Sequence, residues 1–176
     1  NSLSAVTSGS ENTAIGKSAL YGLTTANYNT ALGSGAGGAV VSGSTVKTTG
    51  DYGIYIGYNA VALAANSANE IVIGSATSVG GYNTGLGNNS TLIGNSSTTT
   101  AQIMGDLTLP RTTSSTSTSS GALKVSGGVG IVENINVGGT ATIVGAATIS
   151  NTTTSSSTTT GALKVGGGVG IVGNVN

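Results

Sequence analysis

Six short apolar phrases, each closed by glycine, recur between residues 12 and 94. They are NTAIG (12–16), NTALG (29–33), IYIG (54–57), IVIG (71–74), NTGLG (83–87) and STLIG (90–94). The closing glycines, Gly16, Gly33, Gly57, Gly74, Gly87 and Gly94, are separated by 17, 24, 17, 13 and 7 residues. Each phrase is too short for a helix, and the asparagines and glycines around it favour turns. We therefore predict one short strand and one tight turn per repeat. The repeats must stack, because one repeat alone cannot bury its apolar residues.

A second repeat system follows the serine- and threonine-rich run at residues 111–120. The phrase GALKVSGGVGIVENIN (121–136) returns 40 residues later as GALKVGGGVGIVGNVN (161–176). Matching positions are Gly121 and Gly161, Lys124 and Lys164, Gly130 and Gly170, and Asn136 and Asn176. Alternating apolar and small polar residues predict short strands near 121–125, 129–137, 140–144 and 147–150. The second copy stops within its own pattern, so we expect the natural polypeptide to continue beyond Asn176.

The two systems divide the chain into three predicted regions. Pro110 closes the first system, because proline cannot donate to a strand ladder and tends to lie at strand ends. The regions are residues 1–110 with the first type of repeat, 111–150 with the first copy of the second type, and 151–176 with its second copy.

Composition excludes several classes of function. Charged residues make up 6% of the chain, whereas about 25% is typical of soluble domains. The five basic residues, Lys17, Lys47, Arg111, Lys124 and Lys164, are scattered, whereas nucleic-acid binding needs basic residues that cluster. The chain has no cysteine and no histidine, so thiol catalysis, the usual zinc ligands and a Ser–His–Asp triad are absent. No apolar run is long enough for a membrane-spanning helix, so we expect no membrane insertion.

Two weak chemical signals have simpler structural interpretations. Gly33, Gly35 and Gly38 match a dinucleotide-binding glycine pattern, but no helix is predicted after them, so we favour a tight corner and expect no cofactor. Glycoside hydrolysis needs two carboxylates about 5–10 Å apart. The five carboxylates are isolated in the sequence: Glu11, Asp51, Glu70, Asp106 and Glu133. We therefore expect that the protein is not an enzyme, with a polysaccharide-depolymerising spike kept as an alternative.

A thin stack of small residues exposes strand edges and an apolar stripe, and this favours assembly. Charged residues that normally protect strand edges are almost missing. We predict an all-β, elongated, homotrimeric fibre of the β-helix or β-roll type, built from short strands and Gly/Asn turns; a monomeric parallel β-helix is the alternative. The predicted trimer-core residues are Ile15, Leu32, Ile56, Ile73, Leu86, Ile93, Val125, Ile131, Val165 and Ile171.

Both repeat systems resemble known families. NTAIGKSAL (12–20) and NTALGSGAG (29–37) resemble head repeats of trimeric autotransporter adhesins and of tailed-phage fibres. TSTSSGALKVSGGVGIVENINVGGTATI (116–143) and its second copy resemble a shaft repeat of bacteriophage tail fibres. The resemblance implies a homotrimeric fibre in the virion, joined to other tail proteins and contacting the host surface. The head segment of a bacterial trimeric surface adhesin is the alternative that the first resemblance leaves open.

The six tyrosines all lie in the first repeat system, and three of them cluster. Tyr52, Tyr55 and Tyr58 cluster at the C-terminal end of the long Gly/Ser/Thr-rich insertion at residues 34–53. Exposed tyrosines form hot spots in binding surfaces, so these three are candidate surface-binding residues for a host glycan or protein. The structural alternative is that the rings cover a thin core.

Overall fold

A computed structural model describes residues 1–40, 46–111, 113–117, 119–157 and 159–173. The chain divides into two compact units, Asn1–Thr108 and Leu109–Asn176. Part of the 34–53 insertion and the match between Asn136 and Asn176 lie outside the described residues. Within those residues there is no helix, and every strand pairs in parallel, so the all-β prediction is confirmed.

The first unit is a parallel β-solenoid with one short strand per turn on its main face. Seven strands are present: β1 (Thr13–Ile15), β2 (Thr30–Leu32), β3 (Ile54–Ile56), β4 (Ala60–Val61), β5 (Ile71–Ile73), β6 (Asn83–Thr84) and β7 (Thr91–Ile93). The main sheet has the order β1-β2-β3-β5-β7, and a second sheet pairs β4 with β6. A single bridge between Val40 and Ala62 extends the second face.

Strand register follows the repeats residue for residue. Thr13 pairs with Thr30, Thr30 with Ile54, Ile54 with Ile71, and Ile71 with Thr91. Successive turns of the solenoid are therefore 17, 24, 17 and 20 residues long in the main sheet. Alternation along each three-residue strand points the middle side chain inward and its two neighbours outward.

The interior is narrow and is filled by complementary side chains. The inward column of the main sheet runs Ala14, Ala31, Tyr55, Val72 and Leu92. Ala31, Tyr55 and Val72 are fully buried. Tyr55 therefore packs between two smaller residues, and the core also contains the fully buried side chains of Leu20, Leu23 and Val61. A single large ring fills the space that the alanines leave.

Asparagine side chains join successive turns of the solenoid by hydrogen bonds beyond the ends of the short strands. The Asn12 Oδ1 atom accepts a hydrogen bond from the Asn29 backbone N–H at 2.9 Å. Asn29 Oδ1 in turn accepts from the Gly53 N–H at 2.8 Å, inside the protein. A second ladder runs from the Ser10 N–H to Asn27 Oδ1 and from the Asn27 N–H to Asp51 Oδ1. These ladders satisfy backbone donors at the corners that precede the strands.

One of the six glycine-closed phrases was misassigned from the sequence. NTGLG (83–87) was predicted to be equivalent to the other five, but Asn83–Thr84 forms β6 of the second sheet. Gly87 accordingly lies beside the Leu63 side chain and not in the column of corner glycines. The turn from β5 to β7 is therefore one long turn of 20 residues that contributes strands to both sheets.

The second unit differs from its prediction. Short strands were expected near 121–125, 129–137, 140–144 and 147–150, but the described residues of this unit contain none. Its repeated local structure is a hydrogen-bonded serine and threonine loop. Ser115 Oγ donates to the Ser120 carbonyl at 3.2 Å, and Ser155 Oγ donates to the Thr160 carbonyl at 3.1 Å. Among the described residues of this unit, no two segments are joined by the backbone hydrogen bonds of a strand ladder.

Candidate functional site

The main sheet of the first unit carries an exposed aliphatic column on its outer face. Its members occupy the last position of each strand and lie in register: Ile15, Leu32, Ile56, Ile73 and Ile93. Ile15 is 60% exposed and Ile93 is 70% exposed, while Ile56 is half-buried. Neighbouring strands of a sheet lie about 4.8 Å apart, so the five side chains form one continuous apolar stripe. We call this stripe the aliphatic column.

The structure brings together five of the predicted trimer-core residues, and these five form the aliphatic column. Leu86 is also exposed, but it follows β6 of the second sheet and lies outside the column. The other four candidates lie in the second unit, each about half-exposed: Val125, Ile131, Val165 and Ile171.

A second column of exposed residues lines the corner that precedes each strand of the main sheet. The residue two positions before each strand has a positive φ in every turn: Glu11 (57°), Tyr28 (60°), Tyr52 (58°), Asn69 (52°) and Asn89 (58°). All five side chains are exposed. We call these five residues the corner column. Asparagine is among the few non-glycine residues that enter this left-handed region readily, whereas a bulky side chain there is an outlier.

Two tyrosines of the corner column stack on each other at the surface. The rings of Tyr28 and Tyr52 are 5.1 Å apart between centroids and parallel to within 2°. Tyr28 is 47% exposed and Tyr52 is 57% exposed. The negative charge of Glu11, on the preceding turn, raises the pKa of Tyr28 above its ordinary value. Asn69 Nδ2 donates to Asn89 Oδ1 at 2.9 Å, so the column continues as an amide pair.

Only part of the tyrosine prediction describes surface residues. Tyr52 is exposed as predicted, and Tyr58 is partly exposed, with its hydroxyl accepting a hydrogen bond from the Gly80 N–H at 3.3 Å. Tyr55 is a correction: it is fully buried, because the middle residue of β3 points inward, and it has no surface to offer a partner. Tyr28 was missed, although it stands five residues before the closing glycine of its phrase, Gly33, as Tyr52 does before Gly57. That shared spacing was the signal that could have found it.

A buried polar cluster lies inside the solenoid. Lys47 Nζ donates to the carbonyls of Gly50 and Ser67, the latter at 2.9 Å, and lies 5.8 Å from the centre of the Tyr55 ring. The Tyr55 hydroxyl donates to Glu70 Oε2 at 3.4 Å, and Glu70 Oε1 accepts from the Gly87 N–H at 2.7 Å. Because Lys47 and Glu70 are fully buried, this cluster cannot meet a ligand and serves the fold.

Burial controls the protonation of this cluster. It lowers the pKa of Lys47 from 10.5 to about 8, against the opposing attraction of Glu70 and then Asp51. It also raises the pKa of Tyr55 above its ordinary range, and the charge of Glu70 adds to that shift. Removing an ionisable group from water disfavours its charged form, which explains both directions.

The glycines that match a dinucleotide-binding pattern form a solenoid corner. Gly33 and Gly35 have positive φ values of 133° and 71°. A Cβ atom on Gly33 would lie 2.6 Å from the Gly57 carbonyl oxygen of the next turn. No helix follows these glycines among the described residues, so the helix N-terminus that holds a pyrophosphate is missing there.

Among the described residues, no group of three or more acidic side chains is placed to hold a metal ion. The same residues include no helix long and apolar enough to cross a membrane.

Comparisons with protein-family models, with curated proteins and with solved structures gave no match to this chain.

Proposed function

We propose that the chain is a segment of a homotrimeric bacteriophage tail fibre that attaches the virion to the surface of a bacterial host. Its partners are two further copies of itself, other tail proteins of the virion, and a glycan or protein of the host. It acts outside the cell as a structural and adhesive element, without a cofactor and without catalysis. Repetition along a trimer multiplies weak surface contacts by avidity.

The aliphatic column is the observation that carries this proposal. Five large aliphatic side chains stand in register on the outer face of a parallel sheet, three of them at least 47% exposed: Ile15, Leu32 and Ile93. Contiguous apolar surface of this kind on a soluble chain marks an interaction site. Because the column runs along the repeat direction, three copies around one axis would cover it along its whole length with identical side chains.

The exposure of apolar residues in the second unit is an independent observation that supports assembly. None of its described residues is buried. Its aliphatic residues are exposed to matching extents in the two copies of the repeat: 66% and 64% for Leu123 and Leu163, and 50% and 57% for Ile131 and Ile171. A chain that leaves such a repeated apolar pattern uncovered gains stability by burying it against other chains.

The phage assignment, as distinct from trimerisation, is supported by the resemblance of the repeated GALKV and GGVGI phrases to tail-fibre shaft repeats. Exposed residues that recur at equivalent positions of successive turns suit an adhesive fibre, since they form a continuous surface along the solenoid.

Sedimentation equilibrium of the whole chain tests the proposal. We expect three times the single-chain mass of 16.7 kDa. The double variant Ile56→Asp with Ile73→Asp should reduce the mass to that of one chain, because a buried carboxylate without a partner costs several kcal/mol. Val79→Asp is the matched control, since Val79 is 98% exposed and lies outside the aliphatic column. A wild-type mass of one chain at every concentration would contradict the proposal.

A further inference from the structure

The corner column contains an arrangement that the fold alone does not require. Where the column holds Asn69 and Asn89, the side chain suits the left-handed backbone. In the two turns before them the same position holds Tyr28 and Tyr52, whose bulk makes a positive φ unfavourable. Residues held in sparsely populated backbone conformations persist where the surrounding structure fixes them, and they cluster at functional sites.

These two tyrosines do not cover the core. Tyr28 and Tyr52 contact each other in a parallel stack and remain about half-exposed, whereas the ring that fills the interior belongs to Tyr55. The stack is therefore a surface feature, raised at a corner of the solenoid and open to solvent. Tyrosine offers a large, rigid contact area at low entropic cost, with a hydroxyl that can donate and accept hydrogen bonds.

The chemistry of the whole corner column narrows the class of partner. Glu11 supplies a carboxylate, Tyr28 and Tyr52 supply rings and hydroxyls, and Asn69 and Asn89 supply amides. None of the five positions is basic, and Asp51 lies next to Tyr52, so a phosphate-rich polymer would be repelled. Groups that accept and donate hydrogen bonds beside aromatic carbon suit a ligand rich in hydroxyl groups and C–H surface.

The spacing of the corner column favours a linear polymer. One exposed residue follows another at the strand separation of about 4.8 Å. A ligand that extends along the column meets hydrogen-bonding groups at regular intervals, as a chain of repeating polar units requires. A polysaccharide has both the hydroxyl groups and the regular repeat.

We propose that the corner column, centred on the Tyr28–Tyr52 stack, is a binding surface for a linear polysaccharide of the bacterial envelope. The surface itself follows from the exposed stack and the polar side chains beside it. The bacterial source of the polysaccharide rests on the proposed function.

Saturation-transfer NMR on the whole protein tests this surface. The probes are maltohexaose, hexa-N-acetylchitohexaose and the O-polysaccharide released from Gram-negative lipopolysaccharide. We expect saturation transfer to at least one probe and a loss of about tenfold or more in affinity for the double variant Tyr28→Asn with Tyr52→Asn. Asparagine is the matched replacement, because the next two turns of the solenoid carry it at this position.

Tyr82→Asn is the control, since Tyr82 is partly exposed but lies outside the corner column. It should bind as the wild type does. Absence of saturation transfer from all three probes would overturn the proposal, as would equal binding by the double variant. Unfolding of the double variant would also overturn it, because the tyrosines would then serve the fold.

Sedimentation of the same samples separates this proposal from the one on which it rests. A trimer that transfers no saturation would refute the polysaccharide surface and leave the fibre proposal standing. A single chain that binds a probe through Tyr28 and Tyr52 would support the surface and refute the trimer.

Discussion

At the scale of single residues, the least expected feature is a lysine sealed inside a solenoid of small side chains. Lys47 is fully buried, and its ammonium group is held by two backbone carbonyls and the face of Tyr55. Glu70, whose charge acts on Lys47, accepts hydrogen bonds from the Tyr55 hydroxyl and a backbone N–H. No buried side-chain polar atom among the described residues lacks a hydrogen-bond partner, so the cluster is satisfied although it is charged.

The lowered pKa of Lys47 predicts that stability increases with pH between 8 and 10. Below pH 8 both the folded and the unfolded chain hold the proton, so the cost of the buried cation is present in full. Between pH 8 and 10.5 the folded chain loses the proton first. The unfolded chain then binds more protons, so the free energy of unfolding rises with pH, by about 2 kcal/mol at pH 10. Above pH 10 ionisation of tyrosine in the unfolded chain opposes this rise, because the pKa of Tyr55 is raised in the folded state.

Urea unfolding at pH 7, 8.5 and 9.5 measures this dependence. Lys47→Met should abolish the rise, while Lys17→Met, at an exposed position, should keep it. A flat wild-type profile over this range would show that Lys47 keeps its proton when folded.

The roles of individual residues were harder to predict than the class of fold. Tyr52 and Tyr55 are three residues apart in one short phrase, yet one is exposed and the other fills the core. The difference depends on where the strand begins, because a shift of one residue exchanges the two faces. The sequence showed Lys47 only as one of five scattered basic residues, because the carbonyls that surround it come from different turns of the solenoid.

At the scale of one turn of the solenoid, the glycine that closes each strand phrase fixes the distance to the next turn. Gly16, Gly33, Gly57, Gly74 and Gly94 follow the strands of the main sheet, with φ values between 98° and 146°. That a glycine closes each strand could be predicted from the repeated phrases in the sequence. Five of the six glycine-closed phrases form the strands of one sheet. NTGLG does not follow this rule, because its residues pair with Ala60–Val61 in the second sheet. The sequence does not show which sheet a phrase joins.

Gly57→Ala should therefore destabilise the first unit by about 2–4 kcal/mol. The φ of Gly57 is 127°, and a Cβ atom there would lie 2.5 Å from the Gly74 carbonyl oxygen. Both the backbone strain and the clash act in the folded state only. Thermal unfolding followed by circular dichroism measures the loss. Gly105→Ala is the control, because no atom lies within 4 Å of its Cβ position; equal midpoints for the two variants would contradict the role of the corner.

At the scale of the whole molecule, the two units place their apolar residues differently. The first unit buries a core of its own and leaves the aliphatic column among its exposed apolar residues, whereas no described residue of the second unit is buried. The sequence predicted short strands for this second unit because its pattern alternates. An alternating pattern identifies the apolar residues that burial would stabilise, but it does not show whether the surface that covers them belongs to the same chain.

The matching exposures of the two copies of the second repeat, 121–136 and 161–176, allow a test of which aliphatic residues would face other chains. Val125 and Val165 are 48% and 50% exposed, whereas Val132 and Val172 are 99% and 108% exposed. The same residue type at both positions makes the comparison a matched one. If the half-exposed pair faces the other chains, aspartate at both positions places two carboxylates per chain, and so six in a trimer, in an apolar interface. Each buried and unpaired carboxylate costs several kcal/mol.

The double variant Val125→Asp with Val165→Asp should consequently lose the threefold mass in sedimentation or lose it at a much lower temperature than the wild type. Val132→Asp with Val172→Asp should keep both mass and thermal midpoint, because fully exposed side chains remain in water. Dissociation by the second pair and not the first would reverse the assignment of the two faces. Equal tolerance of both pairs would contradict a role of these valines in assembly.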